Sequence, residues 1–461
     1  MRKVRDSYKA DSGSRPPEIS RRTVIQAGAA AAGLSVVGLS SLGLAAPAFA
    51  APSDSGHGYN VAPFGPVDVV PSTTGGLSYA RAVRFGTSGP GQPRPLLATY
   101  QSFGGTPFPL YRSNDDGHTW AQQGSILGAG APAGIYVQPY LYELPRAFAG
   151  LPKGTLLFAC NYWAIDTSQG FRFTSTNIQL YASTDGGTSW RFLSTVAQGG
   201  PPNTTNGATP VWEPFLLLHN NNLICYYSDQ RDPNYGQKLA HQTSTDLQTW
   251  GPVVNDATGT TYAERPGMTT VARLRGDLWI MTYEFGEPDD PANPDQNNYT
   301  YHVHYRIAKD PESFRFSTDT PLVPPEGSTA PNGAPVVSWS PYGGENGTII
   351  VTDNDDADFL INRDLGDPTK WTRLSSPMPA GYSRFTMPLD EPLYSQDPGL
   401  VFVITGAQYG EPGGVEAGII SLADGNVGNG PQARSSSSPS LNRQAFVQNA
   451  IANFRAQHSG Q

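Results

Sequence analysis

Glu213 and Glu284 are the two residues of this 461-residue chain best placed to do chemistry together. Each falls at the edge of an apolar run with strand character. Glu213 precedes Pro214–Leu218, and Glu284 closes Ile280-Met281-Thr282-Tyr283. Paired carboxyl groups at matched places in neighbouring strand pairs suit cleavage of a glycosidic bond. One carboxylic acid protonates the leaving oxygen, while a second carboxylate attacks the anomeric carbon or activates water. A separation of roughly 5–5.5 Å goes with retention of configuration and a wider one with inversion. Trp212 and Tyr283, next to the two glutamates, are expected to lower the local dielectric and favour a protonated acid in one of them. The alternative is structural, with either glutamate capping a strand end or pairing with Arg265 or Arg384. Glu264 and Glu287 are rivals for the acid roles. Tyr382 is expected to hydrogen-bond a nucleophile or a sugar, or else to pack in the core. The run Asp229-Gln230-Arg231-Asp232 suits sugar hydroxyls or an internal ion pair, and Arg265 is expected to orient a carboxylate.

The elements that would position these groups are short strands. The chain has 38% hydrophobic, 11% aromatic and 15% charged residues, with 51 Gly and 42 Pro. Such a mixture is rich in turns and poor in helix formers, and it disfavours disorder. Two segments repeat the pattern S-x-D-x-G-x-x-W, Ser113–Trp120 and Ser183–Trp190. Ser244–Trp250 is a third copy that lacks the Gly and is one residue shorter, and Arg363-Asp364 to Trp371 is a fainter fourth. These read as Asp boxes, hairpin turns in which the Asp accepts backbone N–H bonds, Gly permits positive φ and Trp packs beneath.

A second repeat consists of β-runs opened by X-Pro: Gln138-Pro139, Glu213-Pro214, Arg265-Pro266 and Ala334-Pro335. Each is followed by a second strand, at Thr155–Cys160, Leu223–Tyr227, Leu278–Tyr283 and Thr348–Val351. Arg81–Phe85 with Leu96–Tyr100, and Ser383–Leu389 with Leu400–Thr405, supply two further pairs without the Pro. Six strand pairs, each trailed by a hairpin, predict an all-β fold, a six-bladed β-propeller over residues 58–425. Pro66–Val70 is expected to supply the outer strand that closes the last blade.

If each innermost strand starts at one face, the second strand must end there. Arg81, Gln138, Glu213, Arg265, Ala334 and Tyr382 are then expected to ring the central mouth. Asp229 and Glu284 should stand just outside them, and the Asp boxes should lie on the opposite face.

The first fifty residues form a separate unit. Ser20-Arg21-Arg22-Thr23-Val24-Ile25, a Gly-interrupted apolar run and Ala48-Phe49-Ala50 read as a twin-arginine export signal cleaved before Ala51, so the mature protein is expected to be secreted. The segment carries seven Lys/Arg and three acids, so its removal takes the net charge from −9 to −13. That charge disfavours nucleic acid and anionic lipid as partners and leaves a neutral oligosaccharide or polysaccharide as the expected one. Stable membrane insertion is not expected, and the chain should be a monomer. Cys160 and Cys225 read as two buried thiols, a bridge being the alternative in an oxidising compartment. Without a Cys/His cluster no zinc site is expected, and the chemistry requires no cofactor. Residues 426–461 form a polar tail in which Leu441–Gln457 reads as a short amphipathic helix or frayed end.

Several segments together resemble glycoside hydrolase family 93. They are Thr209–Phe215 (T-P-V-W-E-P-F), Tyr226–Pro233 (Y-Y-S-D-Q-R-D-P), Gly236–Trp250, Arg265–Met268 (R-P-G-M) and Ile280–Glu284 (I-M-T-Y-E). The resemblance runs from about Ala80 to Ala423. It implies a propeller of the sialidase type, and an exo-α-1,5-L-arabinanase that releases arabinobiose from linear arabinan with retention. It further implies a catalytic pair similar in position to Glu213 and Glu284, with a mouth tyrosine like Tyr382. Gln138, Trp212, Asp229, Arg231, Arg265, Tyr283 and Arg384 are the expected substrate-binding residues. One rival reading is a sialidase, with Arg81, Arg265 and Arg384 clamping a carboxylate and Tyr382 with Glu213 as the nucleophilic pair. Against it, Tyr79-Ala80-Arg81-Ala82-Val83-Arg84 stands where sialidases carry F-R-I-P. A further rival is a non-catalytic carbohydrate-binding propeller.

Overall fold

The computed structural model describes residues 61–423, except 74–75, 87–92, 103–106, 129–130, 169–171, 293, 295–297, 325–329, 390–398 and 409–410. It also describes Gln448, Ile451 and Ala452. The expected export signal and the rest of the tail lie outside the described residues.

Alternation of apolar side chains in short runs separated by Gly- and Pro-rich turns leaves each strand pair two faces to bury. Six blades result. Among the described residues there are six antiparallel sheets of four strands each. Blades one to five run from inner to outer strand in chain order. Their inner strands are Ser78–Arg84, Gly134–Glu143, Val211–His219, Arg265–Arg273 and Val336–Ser340. Blade six is built from Phe385–Pro388, Leu400–Thr405 and Gly413–Ser421, and its outer place is taken by Phe64–Thr73. That strand pairs antiparallel with Gly413–Ser421, Val67 opposite Ala417 and Val70 opposite Val415. The N-terminal strand thus closes the ring, as Pro66–Val70 predicted.

The core lies between blades. Leu96 and Ala98 of blade one pack with Phe402 and Ile404 of blade six, and Ile280 and Val303 of blade four with Ile349 and Val351 of blade five. Cys160 and Cys225 are buried free thiols in two different clusters. No helix among the described residues is long and apolar enough to cross a membrane.

The S-x-D-x-G-x-x-W turns lock successive blades. In the first, the Ser113 hydroxyl accepts from Gly117 N at 2.8 Å, Asp115 accepts from Thr119 N at 3.0 Å, and Trp120 Nε1 donates to Gly117 O at 2.9 Å. The second repeats this with Ser183, Asp185 and Trp190. In the copy without Gly, Leu247 itself adopts φ of 64°. In the faint fourth, Asn362 takes the place of Ser, its Oδ1 accepting from Gly366 N at 2.9 Å. The glycines are needed for contact as well as for backbone conformation. A Cβ on Gly117 would stand 3.0 Å from Phe402, and one on Gly187 2.8 Å from Leu97, each on the preceding blade.

Candidate active site

On or just before every inner strand one non-glycine residue adopts the left-handed conformation. These are Tyr79 (φ 52°), Gln138 (58°), Glu213 (63°), Met268 (53°), Ala334 (47°) and Ser383 (58°). In blades one to four the residue sits in a register shift of the inner strand pair, between Ser78 and Arg81, Val137 and Tyr140, Trp212 and Phe215, and Gly267 and Thr270. A bulge leaves a residue out of the ladder and re-aims its side chain. The bulge marks the mouth in these four blades, and the left-handed residue marks it in all six. Left-handed backbone is costly for a side chain larger than Gly, and it concentrates at functional sites.

This ring corrects the expected one in three blades. Gln138, Glu213 and Ala334 hold their predicted places. Tyr79 replaces Arg81, Met268 replaces Arg265 and Ser383 replaces Tyr382. A proline explains the error in blade four, and blades one and six have none at that place. Pro139 and Pro214 lie inside their strands at the bulge, where a missing N–H costs nothing, rather than at the strand start. In blade four Arg265-Pro266 sits before the bulge, so X-Pro there points three residues too early.

The side chains of Tyr79, Met268, Ala334 and Tyr382 pack together at the mouth, with the Tyr79 and Tyr382 rings edge to face at 5.0 Å. Beside them opens a cavity of about 310 Å³, counted out to its open end. Tyr79, Arg81, Gln138, Glu213, Thr270 and Ser383 are among its lining residues. Donors converge on the half-buried Glu213 carboxylate. Ser228 Oγ reaches Oε2 at 2.7 Å, Met268 N reaches Oε2 at 3.1 Å, and Tyr79 OH reaches Oε1 at 3.3 Å. Its own N–H donates to Gln138 Oε1 at 3.0 Å.

Glu284 is fully buried and lies opposite Gly267 in the register of blade four. Its Oε2 accepts from Ala334 N at 3.0 Å, and its Oε1 would stand 3.3 Å from a Cβ on Gly267. The Gly267-Met268 segment therefore has one glutamate against each of its residues.

The Glu284 contact belongs to a repeated clasp. At the end of the second strand, Gln101 Oε1 accepts from Gln138 N at 2.8 Å and Ser228 Oγ from Met268 N at 3.2 Å. Each of the three side chains holds the N–H of the next blade's ring residue. Gln, Ser and Glu all serve as clasp, so the blade junction needs an acceptor there and not a charge.

The other expected site residues fall into two groups. Tyr382 is at the mouth, its hydroxyl 3.1 Å from Met268 Sδ. Gln138 is there as well, holding Glu213 N and accepting from Asn161 Nδ2 at 3.0 Å. The rest belong to the scaffold. Trp212 packs its ring on Trp163 and donates to Gln230 Oε1 at 2.8 Å. Strand alternation turns Tyr283 away from Glu284, into the core shared with blade three, where its hydroxyl meets Asp319 and Arg306. It therefore does not enclose the Glu284 carboxylate. Asp229 and Arg231 form a bidentate pair with Nε–Oδ1 at 2.8 Å and Nη2–Oδ2 at 3.0 Å, the internal ion pair of the two readings.

Arg265 reaches Asn206, Gln230 and Gln237 through their amide oxygens. Arg384 is fully buried in a cage of backbone carbonyls from Asp356, Ala357, Asp358 and Pro379. Burial lowers its pKa to about 10. Arg81 donates to Ser383 O at 2.7 Å and Ser383 Oγ at 2.6 Å. The three arginines thus have separate sets of partners and do not assemble the carboxylate clamp a sialidase would need. Of the rival acids, Glu264 caps its own turn through Thr260 and Thr261, and Glu287 is exposed.

No family model and no curated protein matches the chain. Solved structures do. The α-L-arabinofuranosidase of Fusarium graminearum, solved with an iminosugar inhibitor and with arabinobiose, is 36% identical, with a TM-score of 0.68 over 78% of this chain and 98% of that one. The α-L-arabinanase of Penicillium chrysogenum, solved with arabinobiose, is 36% identical, with a TM-score of 0.69 over 78% and 99%. A protein of unknown function from Dyadobacter fermentans shares the fold at 13% identity and a TM-score of 0.51. With the ring of six blades, the glutamates meeting on one segment and more than a third of residues shared along nearly the whole length of these enzymes, the chain belongs to glycoside hydrolase family 93.

Proposed function

We propose that this enzyme is a secreted exo-α-1,5-L-arabinanase that releases arabinobiose from linear arabinan with retention, using Glu213 and Glu284 as its catalytic pair. The observation that carries the reading is that both carboxyl groups lie against Gly267-Met268, Glu213 Oε2 3.1 Å from Met268 N and Glu284 Oε1 3.3 Å from a Cβ on Gly267. Arabinobiose bound by the Fusarium and Penicillium relatives supports the choice of sugar, and the twin-arginine pattern at Arg21-Arg22 supports export.

In the proposed reaction one carboxyl group protonates the interglycosidic oxygen as its bond to the anomeric carbon breaks. The other carboxylate forms an ester with that carbon. Water then hydrolyses the ester, giving its proton back to the first residue.

The test is product analysis on linear arabinan, branched arabinan and sialyllactose, with Glu213→Gln and Glu284→Gln beside the unmodified enzyme. Disaccharide release from linear arabinan, lost by orders of magnitude in both variants, is the expected result. Gln101 already serves as a clasp, so Glu284→Gln keeps an acceptor for Ala334 N and the melting temperature should hardly change. Azide separates the roles. Rescue with retained configuration marks the acid/base residue, and rescue with inverted configuration marks the nucleophile. Full activity in either variant removes that residue from the mechanism, and turnover of sialyllactose overturns the substrate.

A further inference from the structure

Tyr79 belongs to blade one, far in sequence from either glutamate, and nothing in the motifs around Glu213 or Glu284 points to it. Its hydroxyl is 3.3 Å from Glu213 Oε1, and its ring is packed edge to face on Tyr382. The Arg81 guanidinium lies 5.6 Å from the centroid of the same ring. Arg81 is 5% exposed and its hydrogen bonds go to Ala80 O, Ser383 O and Ser383 Oγ, all uncharged. The phenol is thus set between a buried cation and a carboxylate. A cation over the ring draws electron density from the hydroxyl and strengthens it as a donor.

From this geometry we infer that Tyr79, backed by Arg81, is a positioning residue that fixes the rotamer of Glu213 and donates a hydrogen bond to its carboxylate. The inference rests on Glu213 being one of the proposed pair. Tyr79 and Glu213 both have left-handed backbone, and their side chains meet. Packing on Tyr382 denies the Tyr79 ring other rotamers, so the hydroxyl is delivered to Glu213 at little entropic cost. A donor on a carboxylate favours its charged form, so removing the donor raises the pKa of the acid whichever catalytic role it has.

Tyr79→Phe keeps the ring and deletes only the donor. The expected result is a fall in kcat of about tenfold, with the limb of the pH–rate profile that reports Glu213 moved up by about one pH unit. Tyr226→Phe serves as the structural control. Tyr226 is a buried tyrosine outside the mouth that donates to Pro311 O at 2.7 Å. Its loss should lower the melting temperature and leave both limbs in place. An unmoved profile in Tyr79→Phe, measured where Glu213→Gln is inactive, overturns the role of Tyr79 and leaves the glutamate pair standing. Undiminished activity in Glu213→Gln sinks the glutamate reading first, and the inference with it. A profile that moves equally in Tyr79→Phe and Tyr226→Phe reduces Tyr79 to a packing residue.

Discussion

Replacing Gly267 by Ala places one methyl group against Glu284 and against Ser228, which holds Glu213, and the structure fixes what that methyl meets. Its φ lies outside the left-handed region, so the backbone itself accepts Ala. The new Cβ would stand 2.5 Å from Gln237 Nε2, 3.3 Å from Glu284 Oε1 and 3.4 Å from Ser228 Oγ. Ordinary contact begins near 3.4 Å, so the Gln237 amide must retreat by about 1 Å, and its 3.0 Å bond to Pro266 O breaks. Gln237 Oε1 also accepts from Arg265 Nη2 at 2.8 Å, and that bond loosens. One neutral bond lost and one charged bond weakened come to about 1–3 kcal/mol. The lower unfolded-state entropy of Ala offsets up to about 1 kcal/mol of this. The net effect on a domain of this size is a melting temperature lower by a few degrees.

The effect on rate is larger, because Glu284 and Ser228 both touch the new methyl and Ser228 holds Glu213 at 2.7 Å. Misplacement of catalytic groups by a fraction of an ångström to 1 Å lowers turnover by roughly 10–100-fold. The assay is steady-state release of reducing sugar from linear arabinan alongside thermal unfolding. A variant with unchanged kcat/KM and a lowered melting temperature would refute the reasoning. It would mean that neither carboxyl is held through this glycine in the reacting enzyme.

Three further outcomes follow from the scaffold. Burial raises the Asp353 carboxyl to about 7, so over pH 4–7 the folded protein binds a proton that the unfolded chain has released. That contribution to stability is full below the unfolded value near pH 3.8 and is lost as pH rises through about 7. Asp353→Asn should therefore flatten the fall in melting temperature across this window, and an unchanged slope would exclude Asp353 as its source. Gly187→Ala combines φ of 86° with a Cβ 2.8 Å from Leu97, which should cost about 1–3 kcal/mol in thermal unfolding without changing KM. Arg384→Met empties a cage of backbone carbonyls and should leave little soluble protein. Wild-type expression of that variant would show that the blade-five loop finds other donors.

The repeat structure was legible because it is written in local chemistry. Ser, Asp, Gly and Trp at fixed offsets specify a turn whose partners all lie within eight residues, and strand alternation reports burial directly. Even the closing strand could be read, since Pro66–Val70 had no other sheet to join. The mouth was legible only in part, because its defining feature is a backbone conformation that side-chain type does not encode. Tyr, Gln, Glu, Met, Ala and Ser share positive φ at the six ring positions, and no residue preference unites them. Pro follows the ring residue in the three blades where the sequence reading succeeded and is absent from that place in the three where it failed.

The charged residues were harder to read. Asp229, Arg231, Arg265 and Arg384, named as expected substrate-binding residues, each make hydrogen bonds within the scaffold. A propeller draws its inner strand ends together, leaving carbonyls and amides in the loops between blades with few backbone partners. Guanidinium groups, with five donors in one plane, satisfy several of them at once. Arg384 reaches five carbonyl-bearing residues, and Arg265 three amide side chains. The polar ring residues left facing the cavity are Tyr79, Gln138, Glu213 and Ser383, with Arg81 beside them, a set with the donors and acceptors that the hydroxyl groups of the proposed sugar need.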